Sequence, residues 1–164
     1  MKLKINDLYQ YQKELDSRIF TLHNINREAS RRSRILALLV ELAEMSNETR
    51  CFKYWSVKKS SEKEIVLEEY GDGIHFLLSL GIDLGDDSEY IEGDDVSASG
   101  LVEAILDVFE SVNKLQVDFC LQNYYVSFSK YLSVAKLLGF TADEIREYYL
   151  LKNQKNHERQ NTNY

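Results

Sequence analysis

Apolar positions recur at three- and four-residue spacing along most of the chain, with polar residues between them. That is the period of an amphipathic helix, in which side chains three and four apart share a face. The pattern predicts six helices, over about residues 5–21, 28–55, 62–83, 100–115, 117–138 and 141–157. Asn6 or Asp7 can open the first. Ser61 with Glu64 forms a capping-box pattern ahead of the third helix, and Thr141 with Glu144 repeats it ahead of the sixth. Gly81 and Gly85 are read as closing the third helix, and Gly139 the fifth. Between the third and fourth helices the acidic stretch GDDSEYIEGDDVSASG lacks the period and reads as a solvated loop, without the acid spacing of an EF-hand. The ending KNQKNHERQNTNY has no apolar period and reads as a polar tail.

The chain has no proline and only 7 glycines in 164 residues, which removes the commonest helix breaker and argues against an all-β domain. The expectation is therefore an all-α helical bundle of about six helices, in a single domain over 1–164. A net charge of −7 makes a poor grip for a phosphate backbone, so nucleic acid is not expected as a partner. Cys51 and Cys120 are far apart, which excludes a disulfide framework and a cysteine zinc site and suits a reducing cytoplasm. The opening MKLKINDLYQ lacks the apolar run of a signal peptide. No apolar run approaches the roughly 18 residues that span a bilayer, so a membrane is not expected as a partner either.

Charge becomes informative in RILALLVELAEMSNETR. On a helical wheel its apolar arc, from Met45 round through Ile35 to Val40, covers roughly 220°, which predicts a mostly buried helix. Glu41, Glu44 and Glu48 form a narrow stripe on the remaining side, where like charges at this spacing repel unless a cation intervenes. In EKEIVLEEYGDGIHFLLSLG, Glu69 shares a sector with Ile65, Phe76 and Leu80, and Asp72 lies beside it. An acid on an apolar sector is expensive unless it is paired or metal-bound. Two antiparallel helices, each with an acidic pair at i and i+3, can bring four carboxylates to one point. Hard oxygen ligands without His or Cys suit Mg²⁺, or Mn²⁺. A buried ion network with Arg31, Arg34 or Lys53 is the competing reading.

A carboxylate-held divalent ion suits phosphate chemistry, because Mg²⁺ keeps open positions for phosphate oxygens and water. The tail then supplies cations: Lys152, Lys155, His157 and Arg159, interleaved with Asn153, Asn156, Gln160 and Asn161. It is read either as a lid that orders over substrate or as a frayed end. His23 and His75 lack paired ligand spacing and read as structural. The tyrosine-rich run QNYYVSFSKYL reads as packing or a dimer interface.

The acids of E41-L-A-E44 and E69-Y-G-D72, 24 residues apart, resemble the E-x-x-E…E-x-x-D signature of the all-α NTP pyrophosphatases, which include the MazG-like enzymes and the dimeric dUTPases. LYQYQKELD, RCFKYWS, EEYGDGIHFLLSLG and the ending, which resembles K-N-x-x-N-x-x-R-Q-x-x-G-Y, favour the dimeric dUTPase branch. Together these stretches cover most of the chain outside a variable region at about 85–135. Asn163 stands where that pattern usually has glycine, and the short chain matches the compact forms common in phages and prophages.

What the resemblance implies is a homodimer that hydrolyses deoxyuridine nucleotides, dUTP and dUDP, to dUMP by cutting the α–β bond. Glu41, Glu44, Glu69 and Asp72 would bind Mg²⁺, and Glu41 would activate the attacking water. Lys152 and Arg159, in a phosphate-binding tail at about 152–164, would hold phosphates, with Asn156 near the sugar or phosphate. Gln12, on a helix that otherwise looks solvent-facing, would read the uracil edge. Asp72 would also meet the 3′-hydroxyl, Phe76 would exclude a ribose 2′-hydroxyl, and Trp55 would line the base pocket. Three alternatives stand beside this. They are a dCTP-preferring or broader MazG-like pyrophosphatase, a nucleotide-sensing regulatory binding protein with its own protein partner, and a non-enzymatic helical interaction module.

Overall fold

Residues 1–94 and 100–161 are described by the computed structural model. They form α1 (Leu8–Leu22), α2 (Arg27–Thr49), α3 (Lys63–Leu84), α4 (Gly100–Val117), α5 (Leu121–Leu137) and α6 (Ala142–Arg159), with two short strands, β1 (Lys2–Lys4) and β2 (Tyr90–Glu92). The helical bundle is as expected. The strands are not: they pair antiparallel, with Leu3 opposite Ile91, and both of these side chains are buried.

Helix ends follow their local chemistry. Asn26 caps α2 by accepting from the Ala29 amide at 2.8 Å. α2 stops at Thr49 rather than near 55, because Arg50 turns left-handed at φ 55°. Its guanidinium then holds the following turn through Ser56 Oγ at 2.7 Å and the Lys58 carbonyl at 3.2 Å. The expected capping box at Ser61 does not form. Ser61 Oγ donates to the Glu48 carboxylate instead, and α3 opens after Glu62 without a side-chain cap. The Thr141–Glu144 box does form, with the Glu144 amide 3.1 Å from Thr141 Oγ1 and Glu144 Oε2 2.8 Å from the Thr141 amide. Gly81 lies inside α3, where a Cβ would strike the hydroxyls of Tyr124 and Tyr9; the helix closes at Gly85, in the left-handed region at φ 71°.

α2 and α3 form the main pair, and their contacts run in opposite directions. Near the start of α2, Arg34 meets Asp83 at 2.6 Å; at its end, Glu48 meets Ser61. Leu38, Leu42 and Met45 of α2 are fully buried with Tyr70, Ile74, Leu77 and Leu78 of α3. Tyr70 and Tyr131 stack with centroids 4.6 Å apart. Each hydroxyl donates to the other residue's carbonyl, at 3.2 and 2.8 Å, which locks α5 onto α3.

α2 is less buried than its wide apolar arc implied. Leu36 is 62% exposed and Val40 43%, because α3 and α4 cover only part of the arc. The acidic stretch after Gly85 is likewise more than a solvated loop. Asp86 is buried and accepts from Tyr125 at 2.5 Å, from Ser88 Oγ at 2.8 Å and from Tyr9, and β2 follows it. Residues 95–99 of that stretch, and Asn163 with the end of the tail, lie outside the described residues. The polar tail is helical as far as Arg159. It lies along α1, where Arg18 donates to the His157 carbonyl at 2.9 Å and Asn153 donates to the Tyr11 carbonyl at 3.3 Å. No helix among the described residues is long and apolar enough to cross a membrane.

Candidate active site

Because α2 and α3 run antiparallel, Glu41 on the first faces Glu69 and Asp72 on the second. One carboxylate oxygen from each lies within 4.8 Å of the others. Glu44 is one turn further along α2 and more exposed. It adds charge to Glu41 and Glu69 but stands outside that trio, beside Val40, Ala43, Asn47 and Glu48. The four acids thus gather as the antiparallel pairing implied, with three close together and one on the rim.

The arginines that could have neutralised this cluster point elsewhere. Arg27, Arg31 and Arg34 converge on Asp83, whose side chain is 1% exposed, and Lys53 donates to Asn47 at 2.5 Å. The cation at the cluster comes from α6. Lys152 Nζ donates to Asp72 Oδ2 at 2.5 Å and reaches Glu68 Oε1 at 3.5 Å. Arg159 adds positive charge near Asp72, and Asn156 lies 3.5 Å from the Arg159 guanidinium.

Protonation follows from this arrangement. Burial and the neighbouring acids Asp72, Glu44 and Glu69 push the Glu41 carboxyl up to about 7. Glu69 is raised for the same reasons. Asp72 is raised by burial although its contact with Lys152 works the other way. Carboxylates that resist ionisation next to one another are ready to exchange protons for a divalent cation. Three hard oxygens with no nitrogen or sulfur fit a magnesium-type ion.

Gln12 is 3% exposed, not on an open face as its helix suggested. Its amide donates to Asp16 at 2.7 Å and accepts from Tyr149 at 2.9 Å, with His75 Nδ1 at 3.0 Å. His75 is buried and stacked on Tyr149 with centroids 4.2 Å apart. Burial and the charge of Lys152 push its imidazole down to about 3, so it is neutral. Phe76 is half-buried against the core. Trp55 belongs to neither core nor closed pocket within one chain. It is 66% exposed and packs edge-on against Phe52 and Tyr54.

Sequence reasoning missed Glu68, Asp16 and Tyr149. The signals were present as i, i+4 spacing of Glu68 with Asp72 and of Gln12 with Asp16, and as Tyr149 three residues before Lys152. No curated protein matches the chain. A family model described as dUTPase matches residues 4–164, nearly the whole sequence, and spans every residue of the carboxylate cluster and its lysine. With six helices, an acidic cluster able to hold a metal and that match, the chain belongs to the all-α dUTPase family and is a dUTP diphosphatase.

Proposed function

We propose that the protein is a Mg²⁺-dependent homodimer of single-domain subunits, working in the cytoplasm, that hydrolyses dUTP and dUDP at the α–β phosphoanhydride. The observation that carries this is the meeting of Glu41, Glu69 and Asp72 with Lys152 as their close cation. Like charges held this close and partly desolvated are costly to maintain, and a divalent ion relieves that cost. Glu41, Glu69 and Asp72 would hold Mg²⁺, with Glu44 joining from the rim; Mn²⁺ suits the same oxygens. Such an ion neutralises phosphate charge and acidifies bound water.

The chain's own residues do the rest. Glu41 accepts a proton from the attacking water. The water oxygen bonds to the α-phosphorus, and the bond to the bridging oxygen breaks. Pyrophosphate leaves from dUTP, or phosphate from dUDP, and dUMP remains. Lys152 and Arg159 take phosphate charge, with Asn156 beside them. Gln12 faces the base, Asp72 the 3′-hydroxyl, and Phe76 crowds the sugar where a ribose would carry its 2′-hydroxyl. Trp55 reaches a base pocket only as part of the exposed aromatic knob, which fits an assembled dimer. The uncovered strip of Leu36 and Val40 on α2 supports that assembly.

The test is product analysis with dUTP, dUDP, dCTP, dTTP and ATP offered separately, with Mg²⁺ and again with chelator. Pyrophosphate from dUTP and phosphate from dUDP, both abolished by chelator, support this reading. Comparable turnover of several nucleotides would favour a broader pyrophosphatase. Nucleotide binding without turnover would favour a regulatory sensor.

A further inference from the structure

Asp16, Gln12, His75 and Tyr149 form one hydrogen-bonded network, joined to α3 at His75, one turn from Asp72, and Asp16 sets its polarity. The Asp16 carboxylate already accepts from Ser79 Oγ at 2.6 Å and from Arg27 at 2.9 Å. It is an acceptor toward Gln12 as well, so the amide group 2.7 Å away is the NH₂. Gln12 Oε1 therefore faces Tyr149 and His75 Nδ1, and both must donate. That fixes the histidine as its Nδ1–H tautomer. Two groups stay unmatched among the described residues: the second proton on Gln12 Nε2, and His75 Nε2, which is buried without a partner. Buried polar atoms are nearly always satisfied, so unmatched atoms in an otherwise saturated network mark a place for something the chain itself does not supply.

We propose that His75 and Tyr149 are positioning residues for base choice: they hold the Gln12 amide with its oxygen occupied, so that it offers the base a single N–H. This rests on Gln12 facing the base, as proposed above. A donor at that point accepts the O4 carbonyl of uracil and repels the amino group that cytosine carries there. His75 is suited to the task by its place on α3, one turn after Asp72, with its ring clamped on Tyr149. Released from its two donors, the amide is tied only at Asp16 and swings about that bond, so its remaining N–H no longer points steadily at the base.

The test is calorimetric titration of dUMP and dCMP, a readout that does not require turnover. His75→Phe keeps a ring against Tyr149 but removes the donor. His75→Asn returns an N–H close to the position of Nδ1. The preference for dUMP over dCMP is expected to fall about tenfold in His75→Phe, the scale of one misdirected hydrogen bond, and to recover most of that loss in His75→Asn. If His75→Phe does not fold, Tyr149→Phe removes the other donor and is expected to lower the same ratio. Equal loss of both affinities with an unchanged ratio would show a merely structural histidine and overturn the proposal. A Gln12→Ala protein that keeps the preference would also overturn it, without bearing on the assignment of the carboxylate cluster. A wild-type protein that binds neither nucleotide would overturn the proposed function as well.

Discussion

Lys152 Nζ lies 2.5 Å from Asp72 Oδ2, so the same carboxylate is claimed by a lysine from α6 and by the cluster on α2 and α3. In the proposed function, lysine and a divalent ion would compete for Asp72, and phosphate oxygens would offer the lysine a better partner once nucleotide arrives. Lys152→Met is therefore expected to bind Mg²⁺ several-fold more tightly without nucleotide. Its kcat/KM for dUTP is expected to fall about 10- to 100-fold, the worth of one or two hydrogen bonds to a charged group. Calorimetry with Mg²⁺ and steady-state kinetics read the two effects separately.

The Glu41 carboxyl is raised from an ordinary value of 4.5 to about 7 by burial and by its acidic neighbours. Between those values the folded state holds a proton that the unfolded state has released. Stability from this group therefore falls as pH rises from 4.5 to 7. Metal-free protein is expected to lose melting temperature across that range, and Glu41→Gln to flatten the slope. Saturating Mg²⁺ should raise the melting temperature more at pH above 7 than near pH 5, because binding requires the ionised acids. Thermal scans from pH 4.5 to 8, with and without Mg²⁺, measure this directly.

Asp83 holds three arginines away from the site, with Arg34 at 2.6 Å, Arg27 at 3.0 Å and Arg31 at 3.4 Å. Asp83→Asn leaves the buried Arg34 without its carboxylate, at a cost of about 3–5 kcal/mol. With about 2–4 °C of melting temperature per kcal/mol at this size, calorimetry should show a drop on the order of 10 °C. Turnover measured well below the new midpoint should stay close to wild type.

Leu36 and Val40 lie one turn apart on α2, 62% and 43% exposed. If this strip is the dimer seam, Leu36→Glu with Val40→Glu should shift the sedimenting species from dimer toward monomer. An unchanged mass would place the seam elsewhere.

Much of this molecule can be read from periodicity. Glu41, Glu69 and Asp72 stand out because a helical wheel shows acids encroaching on apolar sectors, and antiparallel pairing is the simplest way to join them. Gln12 was harder, because its burial comes from His75 and Tyr149, 63 and 137 residues away, and α1 by itself looks open to solvent. The strands escaped notice since three residues carry too little alternation, and Leu3 finds its partner only at Ile91. The end of α2 carries no glycine; an arginine takes the left-handed position instead. For Trp55 the sequence supports core and pocket equally, and the side chain is 66% exposed with Phe52 and Tyr54 as its ring neighbours.

The most direct measurement compares Glu41→Gln with wild type in Mg²⁺-dependent hydrolysis of dUTP, alongside melting temperature and dUMP affinity. Glu41 as base and metal ligand predicts a loss of at least about 10²-fold in kcat. The metal-free fold should be at least as stable as wild type, and dUMP binding should change far less than turnover. Near-wild-type turnover, or a loss fully explained by unfolding, would contradict the assignment of the α2–α3 carboxylates as the catalytic centre.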